Sequence, residues 1–186
     1  MRIISGAFKG RSIEFLKNSN TRPLKDSVKE NIFNVLKHSN RIKINIEESN
    51  IFDLYCGIGS FGIECLSRGA KQVTFVDQDL KALSILKKNL GKLSILNKSK
   101  ILLSKIENVL IKEMNEKFNI FFLDPPFVDF DYLNNIKIIK EKKIFHKNHA
   151  VIIHREKSSK DELKDFLEII ETKKYGRSKI LFGIFK

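Results

Sequence analysis

The stretch Asp53-Leu54-Tyr55-Cys56-Gly57-Ile58-Gly59-Ser60-Phe61-Gly62 decides the fold. It follows a short apolar run at residues 51–54, which reads as a buried strand, and it opens a helix. Glycines in such a turn allow a tight bend and let a ligand approach backbone N–H groups at the helix start. After a second apolar run at residues 73–76 comes Asp77, 20 residues beyond Gly57, where a carboxylate can accept hydrogen bonds from ribose hydroxyls. Gly57, Gly59 and Gly62 satisfy the dinucleotide fingerprint, so NAD is one reading, and a glycine-rich turn without a ligand is another. Asp53 argues against NAD, because a carboxylate ahead of the loop repels a pyrophosphate and attracts an ammonium. A chain of 186 residues also lacks room for the substrate domain that a nicotinamide enzyme usually needs. S-adenosylmethionine carries an ammonium, a sulfonium and a ribose but no phosphate, and it suits this loop. Asp53, Tyr55, Gly57, Gly59, Gly62, Asp77 and the adjacent Gln78 are the candidate cofactor residues.

Working outward, further apolar runs at residues 101–103, 120–123 and 150–153 alternate with helical stretches. The clearest helix places Leu80, Leu83, Leu86, Leu90 and Leu93 on one face. Buried strands alternating with amphipathic helices predict an α/β fold with a mostly parallel sheet covered on both sides. At the C-terminal end, residues 166–174 and 178–185 flank Tyr175-Gly176-Arg177 and read as an antiparallel hairpin. Residues 1–15 read as a short strand pair with Lys9 and Arg11 near its turn. Residues 18–23 form a polar connection ending in Arg22-Pro23. Ser27 and Glu30 have capping-box spacing, and Val28, Ile32, Val35 and Leu36 share a helical face. The expected organisation is a basic extension at residues 1–43 and a larger domain at 44–186, packed as one unit.

A second motif decides the chemistry. The run at 120–123 leads into Asp124-Pro125-Pro126-Phe127. Two prolines fix the backbone and remove its donors, so carbonyls beside Asp124 and Pro125 are presented stiffly. An exocyclic amino group on a base needs such acceptors, because its lone pair is delocalised into the ring and both hydrogens must be held to aim it. Phe127 offers a face on which an extruded base can stack. The plainer alternative is a strand-terminating turn with Phe127 in the core.

The net charge of +13 suggests a polyanionic partner. Lys, Ile, Asn and Phe fill 84 positions, as an A+T-rich coding sequence would also produce. The distribution separates the two explanations. Residues 1–43 hold ten Lys/Arg against three acids, a net +7, more than half the excess in under a quarter of the chain. Arg2, Lys9, Arg11 and Arg22 are therefore candidate contacts for a polyanion, which the resemblance given below implies to be RNA. Two cysteines, Cys56 and Cys65, cannot build a disulfide framework. His146 and His149 lack a third ligand, so no metal site is expected, and the four histidines read as incidental. With no long apolar run, the chain reads as a soluble, cytoplasmic monomer.

Taken together, these motifs resemble the bacterial 16S rRNA (guanine-N2) methyltransferases of the RsmD type. The resemblance covers nearly the whole chain. It rests on Arg2-Ile3-Ile4-Ser5-Gly6, Lys9-Gly10-Arg11, and Thr21-Arg22-Pro23 with Asp26, Val28, Glu30, Phe33 and Asn34. Residues 53–62, Leu66-Ser67-Arg68-Gly69-Ala70, residues 124–127 and the Tyr175-Gly176 hairpin complete it. It implies a class I S-adenosylmethionine-dependent fold with a seven-stranded sheet. The implied activity is methylation of guanine N2 in small-subunit rRNA, on assembled or assembling 30S particles. Asp124, Pro125, Pro126 and Phe127 would carry the reaction without a metal. The chain departs from the family at Ser27 and Lys29, where arginines are common. It also has Lys105 where an acid often meets the adenine amino group, leaving Glu107 or the backbone near Ile106 for that contact. Two rivals share these features: an adenine-N6 methyltransferase, and a non-catalytic RNA-binding assembly factor on the same scaffold.

Overall fold

A computed structural model describes residues 1–15, 24–112 and 114–186. Seven strands form one sheet in the order β3-β2-β1-β4-β5-β7-β6. β1 (Asn50–Leu54), β2 (Gln72–Asp77), β3 (Ser99–Leu103), β4 (Phe118–Leu123) and β5 (Phe145–Glu156) run parallel. β6 (Leu167–Tyr175) and β7 (Ser178–Phe185) make the expected hairpin, and β7 pairs antiparallel with β5. The helices are α1 (Asp26–His38), α2 (Ser60–Ser67), α3 (Leu80–Lys92), α4 (Ile106–Ile111) and α5 (Tyr132–Lys142).

Strand alternation splits the core between the two faces of the sheet. Ile51, Ile120 and Phe122 face one layer with Ile32 and Phe33 of α1, Phe61 of α2 and Leu86 of α3. Phe52, Leu54, Phe121 and Leu123 face the other with Val109 and Leu110 of α4 and Ile136 and Ile139 of α5. Central strands buried on both faces are the reason their sequences read as continuous apolar runs.

Local structure differs from the sequence reading at three places. Residues 1–15 make a single antiparallel bridge, Arg2 to Ser12, rather than two strands. Ile3 N–H donates to the Arg11 carbonyl and Ile13 N–H to the Met1 carbonyl across this hairpin, and α2 also holds it: Ile4 and Ser5 N–H donate to Glu64, and Ala7 N–H donates to the Ser67 carbonyl at 2.7 Å. Gly6, at φ 82°, lies so close to that carbonyl that a Cβ there would collide with it. Second, Ser27 does not cap α1, because the helix starts one residue earlier, at Asp26, with Lys25 at the cap position. Third, Leu80 is 63 % exposed. The Asp79 carboxylate caps α3 through Lys81 and Ala82 N–H, so Leu80 sits in the first turn and away from the core, whereas Leu83, Leu86, Leu90 and Leu93 are buried. No helix among the described residues is long and apolar enough to cross a membrane.

Candidate active site

The C-terminal ends of β1, β2 and β4 converge on a cavity of about 760 Å³, the crevice where open α/β sheets take ligands. Asp53 points into it from β1. The residue is 1 % exposed; Oδ2 accepts the Gly62 N–H at 2.9 Å, and Oδ1 has no donor among the described residues. Burial, reinforced by the like charges of Asp124 and Asp77, pushes its pKa well up despite the Gly62 hydrogen bond. A buried carboxylate oxygen without a donor fits a ligand ammonium, whose charge would hold Asp53 ionised.

The turn after β1 is bent at Tyr55, φ 61°, and Gly57, φ 53°. A left-handed conformation at a tyrosine is uncommon and marks a turn held by its surroundings; here Asn135 Nδ2 donates to the Tyr55 hydroxyl at 3.0 Å. The three glycines divide their roles. Gly57 lines the cavity and has open space where a side chain would be. Gly59 and Gly62 lie outside the lining. A Cβ at Gly59 would reach Leu86 Cδ1 at 2.4 Å, and one at Gly62 would reach the Phe75 ring at 2.3 Å. These two let α2 lie against the sheet rather than admit a ligand. Asp77 at the end of β2 closes the turn: Oδ2 accepts the Gly57 N–H at 2.7 Å and Oδ1 accepts the Asp79 N–H at 2.9 Å. Each oxygen retains a lone pair. Gln78, Lys105, Ile106 and Glu107 complete this half of the lining. Cys56 is buried, and desolvation raises its thiol pKa, which disfavours the thiolate.

The other half is Asp124-Pro125-Pro126-Phe127, all four against the cavity. The Pro126 carbonyl accepts the Asp129 N–H and Arg155 Nη1, and the Phe127 carbonyl accepts Arg155 Nη2. Those two carbonyls are turned to the rear. The Pro125 carbonyl has no protein donor among the described residues. Arg155 is fully buried; its Nε donates to Asp161 at 2.9 Å, and its guanidinium lies over the Tyr132 ring at 4.5 Å. Burial alone would raise the Asp161 pKa, but hydrogen bonds from Ser159, Tyr132, Lys179 and Arg155 outweigh it and bring it to about 2.

Among the described residues, six carboxylates line the cavity (Asp53, Asp77, Glu107, Asp124, Asp129 and Asp131), with Lys105 the one lysine or arginine of the lining. In a chain of net charge +13 this is an acidic hole in a basic protein. It favours a sulfonium and an ammonium over a pyrophosphate. Among the described residues there is no group of three side chains able to hold a metal.

Of the basic candidates, Arg2, Lys9 and Arg11 are exposed on the N-terminal segment, Arg2 beside Asp26 at 3.5 Å and Arg11 over the Phe8 ring at 5.4 Å. Arg22 lies outside the described residues. Lys29 is buried: Nζ donates to the Arg2 carbonyl at 3.1 Å and lies 3.7 Å from Glu64. Desolvation lowers its pKa, opposed by Glu64 and Asp26. It fastens the N-terminal segment to α1 and α2 and offers nothing to an outside ligand. Two residues that the sequence reading passed over complete the site. His154, counted among the incidental histidines, lines the cavity beside Asp124, and Arg155 supports the loop from behind.

Fold, turn and acidic cavity define a class I S-adenosylmethionine-dependent methyltransferase. The chain belongs to the family described as Conserved hypothetical protein 95, whose model matches residues 1–184. It is 34 % identical over 155 residues to ribosomal RNA small subunit methyltransferase D of Buchnera aphidicola, covering 83 % of this chain and 78 % of that one. It is 32 % identical to a candidate rRNA methyltransferase of Bacillus subtilis, over 84 % of this chain and 83 % of that one. A crystal structure of a candidate methylase from Haemophilus influenzae superposes with a TM-score of 0.79 at 28 % identity, covering 100 % of this chain and 98 % of the other.

Proposed function

We propose that this chain transfers a methyl group from S-adenosylmethionine to the exocyclic N2 of a guanine in 16S rRNA of the small ribosomal subunit. One observation supports the reading: Asp124 and Pro125, whose carboxylate and carbonyl could accept from an amine, line the same cavity as Asp53 and Asp77, and the Pro125 carbonyl has no protein donor among the described residues. The name of the Buchnera relative supports the class of RNA.

S-adenosylmethionine, when bound, supplies an electrophilic methyl on sulfur. Asp53 Oδ1 would meet its ammonium, Asp77 its ribose hydroxyls, and Gln78, Ile106 and the backbone beside Lys105 would flank its adenine. Asp124 and the Pro125 carbonyl would grip the two amino hydrogens of the guanine, so that the nitrogen presents its electrons toward the methyl; the N–C bond would form as the S–C bond breaks, and the proton lost from nitrogen would pass to Asp124 and on to water. Pro125 and Pro126 keep that grip rigid. Phe127 stacks on the extruded base. Lining up donor and acceptor in this way is worth roughly 7–11 kcal/mol of barrier, against a few kcal/mol for extruding the base.

Residues 1–43 are proposed as the RNA face, with Arg2, Lys9, Arg11 and Arg22 on phosphates and 44–186 as the catalytic body. The assembled or assembling 30S particle is the proposed substrate. The second reading, adenine N6, rests on the same Asp-Pro-Pro-Phe geometry, which suits any exocyclic amine. Incubating the protein with labelled cofactor and unmodified 30S subunits, then digesting to nucleosides for mass spectrometry, distinguishes them. N2-methylguanosine is expected; N6-methyladenosine would replace the first reading by the second, and no incorporation would leave a non-catalytic binder.

A further inference from the structure

Asp124 and His154 are brought together by strand register. Leu123 of β4 pairs with Ile153 of β5, so the next residues stand side by side at the cavity, with Asp124 Oδ1 2.8 Å from His154 Nδ1. Their side chains are 25 % and 13 % exposed, so little water competes for the contact. The same imidazole meets the Phe127 ring edge-on, with centroids 5.6 Å apart and planes at 80°. One ring therefore touches both side chains assigned to the acceptor base.

We infer that His154 is a positioning residue for methyl transfer. Its Nδ1–H donates to Asp124 Oδ1, fixes the carboxylate and leaves Oδ2 for the amine, while its edge supports Phe127. The terminal torsion of an aspartate is broad, so an unanchored carboxylate samples many orientations. Displacing a reacting group by 1 Å costs on the order of 100-fold in rate. The inference rests on Asp124 being the acceptor for the amine. Arg155, the next residue on β5, has its guanidinium on the Pro126 and Phe127 carbonyls, so consecutive positions of one strand hold the loop by side chain and by backbone.

The test compares His154→Phe, which keeps a ring without the donor, with His154→Asn, whose amide restores a donor near Nδ1. Single-turnover transfer to 30S subunits is expected to fall about 10- to 100-fold in His154→Phe and to recover largely in His154→Asn. S-adenosylmethionine affinity by calorimetry should stay within about twofold in both. In an Asp124→Asn background, His154→Phe should change nothing further. An unchanged rate in His154→Phe, or an equal loss in both backgrounds, would overturn the inference. NMR of the wild-type protein with labelled histidine gives a readout without turnover: Nδ1 must carry the proton, and a bare Nδ1 overturns the inference whether or not the 30S assay succeeds. A wild type that binds cofactor but methylates no 30S subunit would sink the functional reading instead, leaving the NMR result to decide His154.

Discussion

The guanidinium of Arg155 reaches the Phe127 carbonyl through Nη2 at 3.1 Å, from a position with no solvent exposure. With Nη1 on Pro126 and Nε on Asp161, one side chain ties the loop after β4 to the segment after β5. The planar fork of arginine makes these contacts together; an ammonium cannot. Arg155→Lys should therefore loosen residues 124–127 and remove one of the donors to Asp161, which keeps Ser159, Tyr132 and Lys179, at about 1–3 kcal/mol. Thermal and urea unfolding measure this, and a variant as stable as wild type would show that the buried pair contributes nothing to the loop.

Asp77 closes the glycine turn through Gly57 N–H and also lines the cavity. Asp77→Ala removes a ribose acceptor and a turn contact together. Calorimetry should show cofactor binding weakened by about 1–3 kcal/mol. Asp77→Asn, which keeps one acceptor oxygen, should lose less. Equal binding by all three proteins would remove Asp77 from the cofactor site.

Gly62→Ala tests the reading of that glycine as a packing residue. A methyl group there meets the Phe75 ring at 2.3 Å and, through Phe75, the core face of β2. Overpacking of this kind costs about 1–3 kcal/mol, so the melting temperature should drop. Unchanged stability with lost cofactor binding would return Gly62 to the ligand side of the turn.

What sequence could and could not show follows from these contacts. The central parallel strands are legible because a strand buried on both faces is apolar along nearly its whole length, as 120–123 is and as 51–54 is but for Asp53. Asp53, Asp77 and the Asp-Pro-Pro-Phe loop are legible because strand ends followed by turns collect at one edge of such a sheet. His154 and Arg155 are not, because their partners depend on the β4–β5 register, which no local pattern specifies. Ser27 misleads for a related reason: capping-box spacing fits, but the helix begins one residue earlier. The N-terminal segment looks like a hairpin because Ile3 and Ile13 are apolar; they are buried against the helices, while Glu64 and Ser67 of α2 satisfy much of the backbone between them.

Replacing Arg2, Lys9, Arg11 and Arg22 with alanine should weaken 30S binding without changing cofactor affinity. If these side chains contact phosphates, the slope of log affinity against log salt should shrink by about 0.7–0.9 per contact. Removing the exposed Lys143, Lys147, Lys157 and Lys160 provides the control. Equal losses in both sets would mean that charge acts only as a diffuse field.

The central claim is a division of labour inside one cavity, in which Asp53 and Asp77 hold the cofactor and Asp124 holds the amine. Its most direct test is Asp124→Ala, measured by single-turnover methyl transfer to unmodified 30S subunits alongside calorimetric titration with S-adenosylmethionine. The account predicts that transfer is abolished while cofactor affinity stays within a few-fold of wild type, since the lost contact is made to the acceptor alone. Near-normal transfer, or loss of cofactor binding in step with loss of transfer, would contradict it.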